Sequence, residues 1–497
     1  MNENLRTYII PEGPTELGFG WAKALRQDPA YQAAEYIVIP EGVTTIRPNA
    51  FFQSPNQLQA IRIPRSVLTI QSGAFRGCEN LSRILVDTGN PTFCDVDGVL
   101  FSKDGTRLIQ MPKEREADCY EIPEGVTTLG EYAFRDCRNL KDIRIPRSVT
   151  AIEAGAFAGC VGLRCIDLPT SVKSIGQGAF HECISLKGVE IPEGVTTVEE
   201  FLFSNCPELE RIHIPSTVTE IKIYGLDETR LRHISVADGN PSFCDVDGVL
   251  FNKSKTRLIA VPRSIGRESY AIPDSVTVIG EYSFKNNETL RQVLIPHSVR
   301  EIEDWAFSDC NQLSEIVIPS SVTEIAPYAF RSINLEAIRV EEGNPIYSDV
   351  DGVLFNEDQT QLLKMPASKP LRTYTLPDSV VVIAEDAFGG PTTLEEIVIP
   401  DSVREIEDNA FIGCEQLTDL TIGRSVCKIG MHAFANTYAL RRIRCLIPSP
   451  GDIKMDDGGC LFHPADATLF VPAAAMEAYR SHPEFGKFRH IEPLPEE

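Results

Sequence analysis

The sequence predicts a β-rich, right-handed repeat solenoid (α+β) of about 16 or more turns of 23 residues, with three inserted β-hairpins and capping ends. Three observations predict it. An apolar residue followed by proline recurs as a clock: Pro123, Pro146, Pro169, Pro192 and Pro215 stand 23 apart, and Pro273, Pro296 and Pro319 keep the period. A phenylalanine recurs at one phase, and at seven places a cysteine follows it by three residues. The chain has 497 residues, beyond one ordinary core of roughly 100–200 residues, so it is either several domains or an array.

One turn justifies each element. "LKDIRI" (140–145) alternates, Ile143 and Ile145 pointing one way and Arg144 the other, which is a short strand. Pro146 has no N–H to give and ends the ladder. "IPEG", "IPRS" and "IPDS" fit a type I turn with proline second. "VTTL" (126–129) is a second short apolar element, and "EYAF" to "RNL" is a helical or irregular return. No turn buries its apolar face alone; stacking buries it.

Taking the strand ends from Ile39 to Ile422 gives sixteen rungs. Of 24 phenylalanines, twelve sit at the repeated phase: Phe51, Phe75, Phe134, Phe157, Phe180, Phe203, Phe284, Phe307, Phe330, Phe388, Phe411 and Phe434. They read as one spine. Leu226 stands where a thirteenth would, in a shortened turn of 22 residues.

Three turns run to 36 residues, 13 more than the clock, each carrying "VDGVLF" and a "RLI"- or "QLL"-type segment. These read as hairpins added at the solenoid edge. The expected organisation is a capping turn with a short helix at 1–35, the solenoid at 36–447 with inserts near 90–112, 240–262 and 344–366, and a cap at 448–497. "ELGFGWAKALRQ" is the front helix; the back cap reads as strand, short amphipathic helix and closing strand.

Charge and composition exclude several classes. A net charge of −24 repels phosphate backbones and anionic membranes, so nucleic acid is not an expected partner. No apolar run spans a bilayer. The N-terminal residues carry no secretory signal, so the sequence as given predicts a cytoplasmic location, with a secreted or cell-surface one as the alternative.

The repeated cysteines, Cys78, Cys137, Cys160, Cys183, Cys206, Cys310 and Cys414, fail as a disulfide framework. Cys78, Cys310 and Cys414 have no cysteine at the equivalent place next door, where Ser54, Asn287, Pro391 and Thr437 stand. They fail as zinc ligands too, since a row does not converge tetrahedrally and no C-x-x-C pair occurs. They read as small buried fillers that donate weakly to backbone carbonyls. The "DVDG" pairs at 95/97, 245/247 and 349/351 resemble the start of a calcium loop but lack its remaining ligands. The eight histidines share no period, and no nucleophile elbow or phosphate loop occurs. The chain therefore reads as a non-enzyme without cofactor or metal.

"IPRSVTAIEAGAFAGCVGLRCIDLP" resembles the BspA-type leucine-rich repeats, as do the "DGVLF…TRLI…P" insert and the "VPAAAMEAY" cap, over residues 36–495. That resemblance implies protein or matrix binding, sometimes adhesion, as in surface and secreted proteins of oral and gut bacteria, treponemes and some protists.

The expected function is thus a protein-interaction scaffold, acting as a monomer on a protein or glycan partner; a bacterial adhesin is the alternative, and a metal protein or enzyme comes third. Its binding face is the outward strand row, here Arg144, Asp167, Glu190, His213, Leu294, Val317, Arg339, Val398 and Arg444. The row is mixed in charge from Arg144 to His213 and apolar at Leu294, Val317 and Val398. Arg441, Arg442 and Arg444 add a basic cluster.

Overall fold

Why do such short apolar segments hold together? In the computed structural model each strand finds its partner one repeat away, in parallel. The structure describes residues 5–495 apart from 53, 116–117, 223, 227–228, 391–392 and 456–466. The fold is a β-solenoid of about 19 turns with little helix. The chain divides into two units, Met1–Gly248 and Val249–Glu497.

In the first unit the "I-x-I" segments pair in register: Thr7–Ile9, Tyr36–Val38, Ala60–Ile63 and Arg83–Val86 form one parallel ladder. A second ladder carries the "VTTL" segments, for example Thr128–Leu129, Ala151–Ile152 and Ser174–Ile175. In the second unit six strands run from Thr373–Thr375 to His490–Pro493. The sixteen expected rungs are joined by four further strands of the same kind, Thr7–Ile9, Arg442–Cys445, Thr468–Val471 and His490–Pro493.

The proline turn lies one residue later than expected. Val149 N donates to Pro146 O at 3.1 Å, and Val172 N to Pro169 O at 3.0 Å, so proline opens the turn rather than standing second. Its carbonyl is the acceptor, a role its missing N–H leaves untouched. The return from "EYAF" to "RNL" is irregular, not helical. Alternate amides bond to the next turn, Phe134 N to Ala156 O at 2.7 Å and Phe157 N to Ala179 O at 2.8 Å, and those between bond three residues back, as Arg135 N does to Tyr132 O at 3.0 Å.

Stacked turns advance by about one strand spacing, ~4.8 Å, so rings at one phase must stack. Phe134, Phe157, Phe180 and Phe203 do so at 4.9, 5.5 and 5.6 Å between centroids. The single spine of the sequence reading is corrected here. The rings form separate stacks, 51–75 and 134–203 in the first unit, 284–330 and 388–434 in the second. An insert turn has no Ala-Phe, so it interrupts the stack. A tyrosine of the insert turn then packs on the first ring of the new one, as Tyr120 does on Phe134 and Tyr374 on Phe388. Leu226 is half-buried beside Gly225, whose carbonyl accepts from Phe203 N at 3.4 Å.

The inserts are also more than hairpins. Phe93–Val96, Val99–Ser102 and Arg107–Gln110 form an antiparallel meander whose last strand joins the second ladder, Arg107 opposite Thr128. The third insert repeats this, with Gln361 opposite Val382. Asp97 and Gly98, both at positive φ (51° and 79°), make the tight turn that such hairpins favour.

The ends carry the expected helices in shortened form. The front helix is Phe19–Leu25, followed by Pro29–Gln32, capped by Asp28. The back cap is Thr468–Val471, helix Met476–Ser481 and His490–Pro493. Tyr479, wholly buried, donates to Ile447 O at 2.9 Å and ties the helix to the last turns.

Candidate functional site

The strand row is built by alternation. Between buried or half-buried neighbours, each turn presents one side chain of this row outward. In the first unit Arg144, Asp167, Glu190 and His213 are exposed. Arg144 stands in register opposite Glu121, and His213 Nδ1 meets Ser235 Oγ at 2.9 Å. This stretch is a hydrated, mixed-charge surface.

In the second unit the row opens on Ala271 and Leu294, paired in register, then Val317 and Arg339, also paired. Leu294 is 50% exposed and Val317 42%, at equivalent positions of successive turns. Arg339 is exposed but engaged, 3.3 Å from Asp349 of the insert and 3.7 Å from Glu315. Val398 and Arg444 are only half-buried rather than fully outward. The basic cluster is largely consumed: Arg442 pairs with Asp419, and Arg441 donates to the carbonyls of Tyr438 and Leu440.

The repeated cysteines lie in the core. Five thiols aim at the phenylalanine carbonyl 26 residues back: Cys160 at Phe134 O (3.0 Å), Cys183 at Phe157 O, Cys206 at Phe180 O, Cys310 at Phe284 O (2.9 Å) and Cys414 at Phe388 O. Cys78 and Cys137 sit farther from their acceptor carbonyls, at 3.7 and 3.9 Å. At equivalent positions Asn287 donates to Pro262 O, 25 residues back, whereas Thr437 donates within its own turn to Phe434 O; Pro391 lies outside the described residues. Burial pushes the Cys137 thiol up to about 12, so at neutral pH it stays protonated and unreactive. The seven phenylalanines and cysteines of this pattern thus form wall, not chemistry. Among the described residues no three His, Cys, Asp or Glu side chains group as metal ligands, and no helix is long and apolar enough to cross a membrane.

The "DVDG" acids serve the backbone. Asp95, Asp245 and Asp349 each accept from the amide ending the preceding strand, Val86, Val236 and Val340, all at 2.8 Å.

Two features escaped the sequence reading. Asn90, Asn240 and Asn344 are buried, and each side chain makes four bonds. Asn90 Nδ2 donates to Pro64 O and Val67 O at 2.8 and 2.9 Å, and its Oδ1 accepts from Thr92 N and Phe93 N. They clamp each meander to the turn before it.

The second is a flank stripe. The residue at the phase just before Ala-Phe takes positive φ in most turns; Asn49, Gly73, Gly155, Gly178 and Asn409 do so, and so do the bulky Tyr132, Phe201, Tyr282, Trp305 and His432, at 55–58°. Bulky residues hold that conformation at a cost of about 1–3 kcal/mol. In the second unit Tyr282, Trp305 and Tyr328 stack at 6.1 and 5.5 Å, with the Arg331 guanidinium over the last two rings. Aligning the phase before Ala-Phe would have found it.

These features define a class: a repeat scaffold with exposed strand rows. The family model described as "BspA type Leucine rich repeat region" matches residues 30–96, 116–232, 264–360 and 364–449, most of the chain. The chain belongs to that family. Among solved structures it is similar to a leucine-rich repeat protein from Eubacterium ventriosum, at 22% identity over 77% of this chain and 92% of that one, TM-score 0.49. A leucine rich cell surface protein from Faecalibacterium prausnitzii matches at 21% identity, over 93% and 88%, TM-score 0.31. The pneumococcal vaccine antigen PcpA matches at 21%, over 93% and 89%, TM-score 0.35. No curated protein matches.

Proposed function

We propose that the chain is a non-enzymatic protein-interaction scaffold whose strand row contacts a protein partner, the second unit supplying the anchor. The observation that carries this is the adjacent pair Leu294 and Val317, apolar yet exposed at equivalent positions of successive turns, where hydration favours polar side chains. Tested in the native cells, a photo-reactive amino acid at position 294 or 317 should yield one covalent adduct, whereas the same group at Arg147, in a proline turn, should not. Equal adducts from all three positions would remove the site.

A bacterial surface adhesin is the second reading, favoured by family membership. Protease treatment of intact native cells decides it: digestion of the chain supports a surface location, and full protection rules it out.

A further inference from the structure

The first and third insert turns lack Ala-Phe, so each leaves a gap one turn wide in the flank of its unit. At the third insert the chain fills this gap itself. Tyr328, from the turn before, reaches past the insert turn, and its hydroxyl bonds Glu385 and Asn409 beyond it, the latter at 3.2 Å. Its ring lies on Trp305 and under Arg331. Lys364 closes the floor through Asp386 Oδ2 at 2.6 Å.

At the first insert, in the first unit, the equivalent tenant is missing. Gly73 stands at the Tyr328 position and Asn49 at the Trp305 position. A Cβ placed on Gly73 would meet nothing within 4 Å. The gap is a cleft of about 170 Å³, with Phe75, Gln110 and Tyr132 among its walls. A cavity of about 150 Å³ accepts one benzene ring.

In the third gap Lys364 and Arg331 are met by Asp386; the walls of the first are richer in cations. Lys113 is buried and already held by Glu79 (2.9 Å) and Asp136 (3.0 Å). Arg135 stacks on Tyr132 at 5.0 Å; its buried Nε donates no hydrogen bond and lies 3.7 Å from Asp136. Arg76 also lines the cleft and is exposed. Three cations face one lining carboxylate in a chain of net charge −24.

We propose that this cleft binds a single aromatic ring carrying a carboxylate on a short arm. The ring takes the place that Tyr328 fills in the third gap, and the carboxylate meets Arg135 and Arg76. A free aromatic acid and a tyrosine flanked by glutamate on a protein share this chemistry.

The test is calorimetric titration of the full chain with 4-hydroxyphenylacetate and, separately, with the capped tripeptide acetyl-Glu-Tyr-Glu-amide. At least one should bind saturably. Gly73→Tyr, which supplies the ring in cis at a phase where Tyr132 already tolerates positive φ, should weaken that binding at least tenfold. Arg135→Gln should do the same, and neutral 4-hydroxyphenylacetamide should bind at least tenfold more weakly than the acid. Binding of the acid alone assigns a small molecule, and binding of the peptide alone a protein side chain. Failure of both probes, or binding indifferent to both substitutions, overturns the proposal.

Discussion

Cys160 shows how a repeated reactive residue becomes structural. Its thiol is fully buried and points at a spine carbonyl 3.0 Å away. The burial was legible, because seven cysteines at one phase of a core period can only share one environment. That environment has a measurable consequence. Cys137, with an ordinary value near 9.0, is raised to about 12 by desolvation. A neutral buried thiol stabilises the fold fully below pH 9, and that contribution is lost as pH rises toward 12, where the unfolded thiol has ionised and the folded one has not. Chemical unfolding should therefore show stability falling above pH 9. Cys137→Ala should remove about 1.4 kcal/mol per pH unit from that slope; an unchanged slope would mean the thiol is not desolvated. Asn90, by contrast, was not legible. Its four bonds run to residues both before and after it, and no single phase of the repeat reveals such a clamp.

At the scale of elements, the strands were legible because alternation and proline both speak locally. The breaks in the phenylalanine stack were not, since they follow from what an insert turn omits. Inside a stack the inner rings are packed on both sides, as Phe157 is at 4.9 and 5.5 Å. Phe157→Ala should cost about 3–5 kcal/mol, read from urea unfolding monitored by circular dichroism. A loss below about 1 kcal/mol would mean that neighbouring turns collapse into the space. The inserts were read as edge hairpins because "VLF" and "RLI" flank a turn. Their third strand joins the parallel ladder, a pairing set by the next turn rather than by the insert's own residues.

At the scale of the whole molecule, the 23-residue period predicted the architecture, and the family match agrees with it. The candidate site was only partly legible. The outward row follows from alternation, but exposure along it does not: Leu294 and Val317 stand out, while Val398 and Arg444 are half-buried and Arg339 is held by Asp349. The flank lay outside the sequence reading because it needs the phase before Ala-Phe aligned across inserts. The central claim is that the exposed apolar pair binds a protein. Affinity capture from the native cells should be run with the wild-type chain and with a Leu294→Glu/Val317→Glu variant whose circular dichroism and melting match it. A partner retained by the wild type and lost at least tenfold by the variant is the predicted result; identical capture by the two chains would contradict it.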